Sequence, residues 1–164
     1  MSLILNLETS TKKCSVCLAD KGKIISLEEI NEGQFTHAEK LHLFIEHVFL
    51  KSGVSMKSLD AVAVSKGPGS YTGLRIGVSA AKGLCFALDK PLIAIDTLEI
   101  LAHEAKSEND TFIVPMIDAR RMEVYSAVFD QQYQKIRETE AEIIHPDSYK
   151  DFLSKGRVLF LGDG

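Results

Sequence analysis

Ser65-Lys66-Gly67-Pro68-Gly69-Ser70-Tyr71-Thr72-Gly73-Leu74-Arg75-Ile76-Gly77 is the stretch that decides the fold of this 164-residue chain. The apolar run Ala61-Val62-Ala63-Val64 reads as a buried strand, and the small-residue segment after the quoted turn reads as a helix over 72–88. Gly67 and Gly69 leave the backbone between them free to fold tightly. A strand that passes through such a turn into a helix is one step of an α/β fold. Two uses of the turn are open at this stage. Its free amides at a helix start can receive an anion, or the small residues behind them can let another helix approach closely.

Outward from this point, periodicity predicts strands at 2–7, 13–19 and 23–30, with turns at Ser10-Thr11-Lys12 and Asp20-Lys21-Gly22. A helix over 36–52, a strand over 59–65, the helix over 72–88, a strand over 91–95 and a helix over 97–106 follow. Thr97 and Glu99 are capping-type residues at the start of the last. From residue 111 the order restarts, with strands at 112–117, 123–129 and 135–144, a helix over 146–153 and a strand over 158–161. Two α/β half-domains are therefore expected, 1–108 and 109–164. The second stops at Gly162-Asp163-Gly164, short of the helices and strand that would complete the first copy's pattern, so part of its sheet is expected to be uncovered.

With 45% hydrophobic and 26% charged residues, the chain has core material for one domain or two small ones and no mark of disorder. No apolar run is long enough to span a bilayer, and residues 1–7 read as a first strand rather than a leader. Three cysteines fit a reducing, cytoplasmic setting better than a disulfide framework. A formal charge of -4 repels a polyanion such as RNA overall, so any RNA contact is expected to be indirect, through another subunit.

The duplicated order resembles the actin, sugar-kinase and Hsp70 architecture. Lys66 to Gly77, with Ala80-Ala81-Lys82-Gly83-Leu84 after it, closely resembles the TsaB (YeaZ) family. Supporting matches are Ile4 to Ser10, His37-Ala38-Glu39 and the run from Ile117 to Tyr125. The resemblance covers the chain, with Tyr71 where phenylalanine is usual and Glu8 where the superfamily has aspartate. It implies a bacterial cytosolic protein, a catalytically silent relative of the TsaD transferase. Such a protein binds TsaD, pairs with a second copy in its absence, and with the TsaE ATPase supports threonylcarbamoyl transfer to the adenosine beside the tRNA anticodon.

Enzymatic alternatives find little support in the residues. In an ATP-using protein of this architecture each half opens with a strand, an acid and a glycine-containing hairpin around the phosphates. Glu8-Thr9-Ser10-Thr11 and Asp118-Ala119-Arg120-Arg121 stand at those places without glycine, which leaves Glu8, Thr9, Ser10 and Asp118 as weak cofactor candidates. No resident cofactor is expected, and a nucleotide at a shared interface stays open. The loop of Gly67, Pro68 and Gly69 matches neither the P-loop nor the dinucleotide pattern. No Gly-x-Ser-x-Gly or His-Glu-x-x-His supports a protease. His37, His42 and His47 recur every five residues and spread around a helix at about 100° per residue, so they read as solvated or interface histidines. Cys14 and Cys17, three apart in a strand, face opposite sides.

A partner surface on the two helices is the reading favoured. Gly73, Gly77, Ala81 and Cys85 form a stripe of small residues, assigned either to a partner helix or to the chain's own sheet. On the helix over 36–52, Ala38, Leu41, Ile45 and Val48 face the sheet, while Leu43, Phe49 and Leu50 fall outside that face. Arg75 and Lys82, seven apart, are candidate rim contacts. The expected interface is Leu43, His47, Leu50, Gly73, Arg75, Gly77, Ala81, Lys82 and Cys85, with no catalytic residue and no metal.

Overall fold

The computed structural model describes residues 2–31, 37–106 and 110–164, in two compact units, Met1–Ile95 and Asp96–Gly164. The 108/109 boundary expected from sequence falls outside the described residues. The units divide earlier because the helix Thr97–Ala102 packs in the second unit, where Leu98 and Ala102 are fully buried.

In the first unit β1 (Leu3–Glu8), β2 (Cys14–Asp20) and β3 (Lys23–Ile30) form the meander, and β4 (Ala61–Ser65) and β5 (Leu92–Ile95) join in parallel, giving the order β3-β2-β1-β4-β5. Every residue of β4 is buried, which is why its sequence runs apolar without alternation. In β1 and β2, Leu5, Leu7, Cys14, Val16 and Leu18 point to one face and make the core with α1 (His37–Ser52) and α2 (Tyr71–Leu88). The expected first residue of α1, at 36, lies outside the described residues. Leu41, Phe44, Ile45, Val48 and Phe49 are its core side. Phe49 is therefore core, contrary to the sequence expectation, while Ala38, assigned to the sheet, is exposed. The Ser70 hydroxyl caps α2 by accepting from the Gly73 amide at 3.3 Å, and left-handed Asp89 ends it.

In the second unit β6 (Thr111–Arg120), β7 (Glu123–Phe129) and β8 (Lys135–Glu142) form another meander, and β9 (Arg157–Gly162) pairs in parallel with β6, in the order β8-β7-β6-β9. Antiparallel, antiparallel, then parallel is the connectivity that β3-β2-β1-β4 shows, so the duplication read from sequence is present in the topology. One set of buried residues, Ile113, Ile117, Ala127 and Phe129, packs with α3 (Thr97–Ala102). Another, Val114, Met116 and Val128, packs with Tyr149 and Phe152 at α4 (Lys150–Leu153). Both helices are shorter than expected, because 103–105 and 146–149 form turns closed by three-residue hydrogen bonds such as Ala105 N–H to Ala102 O and Ser148 N–H to His145 O. Leu159 and Phe160 of β9 are partly exposed.

Under α4 lies a polar knot. The Tyr149 hydroxyl, in a side chain 4% exposed, bonds to Ser126 Oγ and Glu142 Oε1 at 2.8 Å each, and Arg137 pairs with Glu142 while its guanidinium covers the Tyr149 ring. Burial pushes the Glu142 carboxyl up, but the bonds from Ser126 and Tyr149 and the Arg137 charge outweigh it and hold it below the ordinary value. Burial pushes the Tyr149 phenol up to about 12, helped by the Glu142 charge against the opposing Ser126 bond.

Candidate functional site

The Gly67–Gly69 loop is a fitted turn. Gly67 and Gly69 have φ of 107° and 151°, and a Cβ on Gly69 would strike the Ser10 carbonyl oxygen. The Ser70 amide donates to that oxygen at 2.6 Å, and the Gly73 amide is taken by Ser70 Oγ. These amides of the α2 start are therefore spent inside the chain, against the anion-receiving use. Across the loop, Glu8 Oε1 accepts from Ser10 N–H at 2.6 Å, Ser10 Oγ at 2.5 Å and Ser65 Oγ at 3.0 Å. Thr9 and Ser10 are 0% and 1% exposed. A hairpin that cradles phosphate turns its backbone N–H groups outward; here the acid turns the Ser10 amide onto itself. Asp118 does the same in the second unit, its Oδ1 accepting from Arg120 N–H at 2.7 Å.

The small-residue stripe seats this hairpin as well. A Cβ on Gly73 would strike the Thr9 carbonyl oxygen and one on Gly77 the Thr9 hydroxyl, which itself donates to Gly73 O at 2.8 Å. Ala81 is fully buried in the core. Gly73, Gly77 and Ala81 thus face the chain's own β1 side and core, which corrects their assignment to a partner helix. Cys85 is half-buried, with Sγ 3.5 Å from Pro91 O. His37, expected to be solvated or at an interface, is 1% exposed, and its Nε2–H donates to Thr11 O at 2.8 Å, tying α1 to the same turn. Cys14 is buried and Cys17 half-buried in the alternating β2, and burial, then the Glu8 charge, pushes the Cys14 thiol up to about 11. Among the described residues no three His, Cys, Asp or Glu side chains gather to hold a metal ion.

What remains outward on α1 and α2 is a different set. At about 100° per residue, Leu43 and Leu50 lie opposite the buried side of α1, and Arg75, Ser79, Lys82 and Phe86 opposite that of α2. Leu50 is 71% exposed and Phe86 93%. Between the helices runs an open groove of about 900 Å³, walled by His42, Ile45 and Glu46 on one side and Arg75, Ile76 and Gly83 on the other. Arg75 also lies over the ring of Tyr71, itself 73% exposed. A Cβ on Gly83 would meet nothing within 4 Å, so this glycine, rather than Gly73 or Gly77, opens the outer surface of α2. The sequence reading named Leu43, His47, Leu50, Arg75 and Lys82, all exposed here, and missed Ile76, Glu46, Tyr71 and Phe86. Phe86 is legible in the sequence, since it continues the row from Arg75 and Lys82.

Two units with matching connectivity, each with an acid folded back into its first hairpin, make this an α/β chain of the actin-like class. Residues 31–153 match the family model described as TsaD, tRNA N6-adenosine threonylcarbamoyltransferase. The chain is 39% identical over 126 residues to the tRNA threonylcarbamoyladenosine biosynthesis protein TsaB of Haemophilus influenzae, covering 74% of this chain and 51% of the relative. It is 32% identical over 162 residues to the Bacillus subtilis TsaB, covering 97% and 70%. The solved YeaZ from Pseudomonas aeruginosa superposes with a TM-score of 0.75 at 33% identity, over 90% of this chain and 69% of that one. The chain belongs to the TsaB (YeaZ) family, and it spans 51% to 70% of the length of these relatives. No described helix is long and apolar enough to cross a membrane.

Proposed function

We propose that this chain is a non-catalytic subunit in the threonylcarbamoyl modification of tRNA, and that the outer face of α1 and α2 docks a TsaD-type transferase, stabilising and activating it. In the absence of that partner the same face takes a second copy of the chain, and a TsaE-type ATPase completes the assembly. The observation that carries the docking surface is the exposure of Leu43, Leu50 and Phe86, apolar groups left in water on the outer sides of two helices that have an open groove between them and whose inner sides are already used. Arg75 and Lys82 on α2 and Glu46 on α1 give the face charges of both signs with which to fix the register of a partner.

The absence of chemistry in this chain is part of the same reading. It rests on Glu8, whose carboxylate is engaged by three donors within the hairpin, and on Thr9 and Ser10, which are buried. By itself the chain binds no nucleotide. Isothermal titration with ATP and magnesium should give no saturable heat, and the modification assay should need both this chain and the transferase. Hydrolysis of ATP by this chain alone at an enzymatic rate would overturn the proposal.

A further inference from the structure

The turn joining β6 to β7 holds three successive non-glycine residues at positive φ, the longest such run among the described residues. Arg121 and Met122 form a two-residue hairpin loop with φ of 56° and 65°, between the paired residues Arg120 and Glu123. Positive φ at both loop positions is the type I′ pattern, which selects Asn-Gly and similar pairs because a Cβ is penalised there. Arg120, beside the bulge that follows Asp118, has φ of 66° as well. Three successive left-handed positions thus hold two arginines and a methionine. The hairpin between β2 and β3 has the same loop length and the same signs of φ, 50° and 76°, and there the second residue is Gly22. There only Lys21 carries a Cβ into positive φ, whereas both positions of the β6–β7 loop do.

Backbone outliers of this kind cluster at functional sites, where what the side chains touch offsets their cost. All three are exposed, Met122 to 86%, and among the described residues neither guanidinium makes an ion pair or a ring contact. Two acids flank the tip, Glu123 next to Met122 and paired across from Arg120, and Asp118 with one oxygen engaged by the Arg120 amide. Adjacent guanidinium forks fit phosphodiester oxygens bidentately, and an exposed thioether beside them offers an apolar contact for a base or ribose.

We propose that the Arg120-Arg121-Met122 tip is an RNA contact that grips adjacent backbone phosphates. The choice of RNA over another polyanion rests on the tRNA reading above. A chain of net charge -4 holds RNA weakly alone, so the tip adds a positioning contact to affinity supplied elsewhere.

The test is an amide NMR titration of the whole chain with an unmodified tRNA transcript at about 50 mM salt, where such contacts are strongest. The expected shifts centre on residues 118 to 124. R120Q/R121Q should abolish them while leaving the α1–α2 face and its docking unaltered, so failure here is separable from failure of the docking proposal. A second variant, R121N/M122G, supplies the preferred turn. Its Tm should rise by roughly several degrees while the tRNA shifts weaken. Shifts absent from the tip in wild type, shifts produced there by inorganic polyphosphate but not by tRNA, unchanged shifts in R120Q/R121Q, or a Tm that does not rise in R121N/M122G would each overturn the inference.

Discussion

Replacing Gly77 and Gly83 one at a time with alanine separates the inner side of α2 from its outer side. Either change makes the helix backbone more favourable by about 1 kcal/mol. At Gly83 nothing stands within 4 Å of the new methyl, so G83A should stabilise by up to about 1 kcal/mol. At Gly77 the methyl strikes the Thr9 hydroxyl, with Thr9 Cβ and Cγ2 at 3.3 and 3.4 Å. Thr9 is fully buried, so overpacking costs about 1–3 kcal/mol. Displacing its bond to Gly73 O costs about 1 kcal/mol more. After the helix gain, G77A should lose about 2 kcal/mol, and the two alanine variants should differ by about 3 kcal/mol. The chain has no Trp, so urea unfolding is followed by far-UV circular dichroism, and at m of about 1–3 kcal/mol/M the midpoints should lie about 1–3 M apart. T9A/G77A removes the struck atoms and should be less destabilised than the sum of its single variants. A G77A midpoint at or above wild type would refute the reasoning and return this glycine to a partner surface.

Further expectations concern the acids and the polar knot. E8A leaves Ser10 N–H, Ser10 Oγ and Ser65 Oγ without their acceptor and should cost about 1–3 kcal/mol in urea unfolding, while transferase binding by the folded variant persists in gel filtration. Glu142 has a folded pKa below its ordinary 4.5, so its stabilisation is present above that value and lost as pH falls through the lower folded one. Thermal scans should show a decline below about pH 4.5 that is smaller in E142Q. Tyr149 is raised from 10.0 to about 12, so its contribution is present below pH 10 and lost as pH rises towards 12; Y149F should flatten that alkaline decline, and an unchanged decline would remove the phenol from the account.

The element order and the duplication were legible in the sequence because strand and helix periods are strong signals and the Gly67–Gly77 run marks a strand, a turn and a helix. The inward side of the small-residue stripe was not. A helical wheel groups Gly73, Gly77 and Ala81 on one side but cannot say whether that side meets a partner or Thr9, a residue 64 positions from Gly73 that arrives through the β1–β4 pairing. His37 was misread for the same reason, since its acceptor, Thr11 O, is 26 residues away. Phe49 and Ala38 show the related limit of a wheel drawn without knowing where the neighbouring helix lies. The turn at Arg121-Met122 was hidden because its residues carry none of the usual I′ signals.

Docking through the outer face of α1 and α2 is tested most directly by L50E/F86E. Both side chains are exposed, 71% and 93%, so the fold should keep its stability within about 0.5 kcal/mol. Mixed with the TsaD-type transferase of the same organism and weighed by light scattering after gel filtration, the wild-type chain should run as a complex and the variant as separate proteins. A variant that folds and still forms that complex at wild-type affinity would contradict the account.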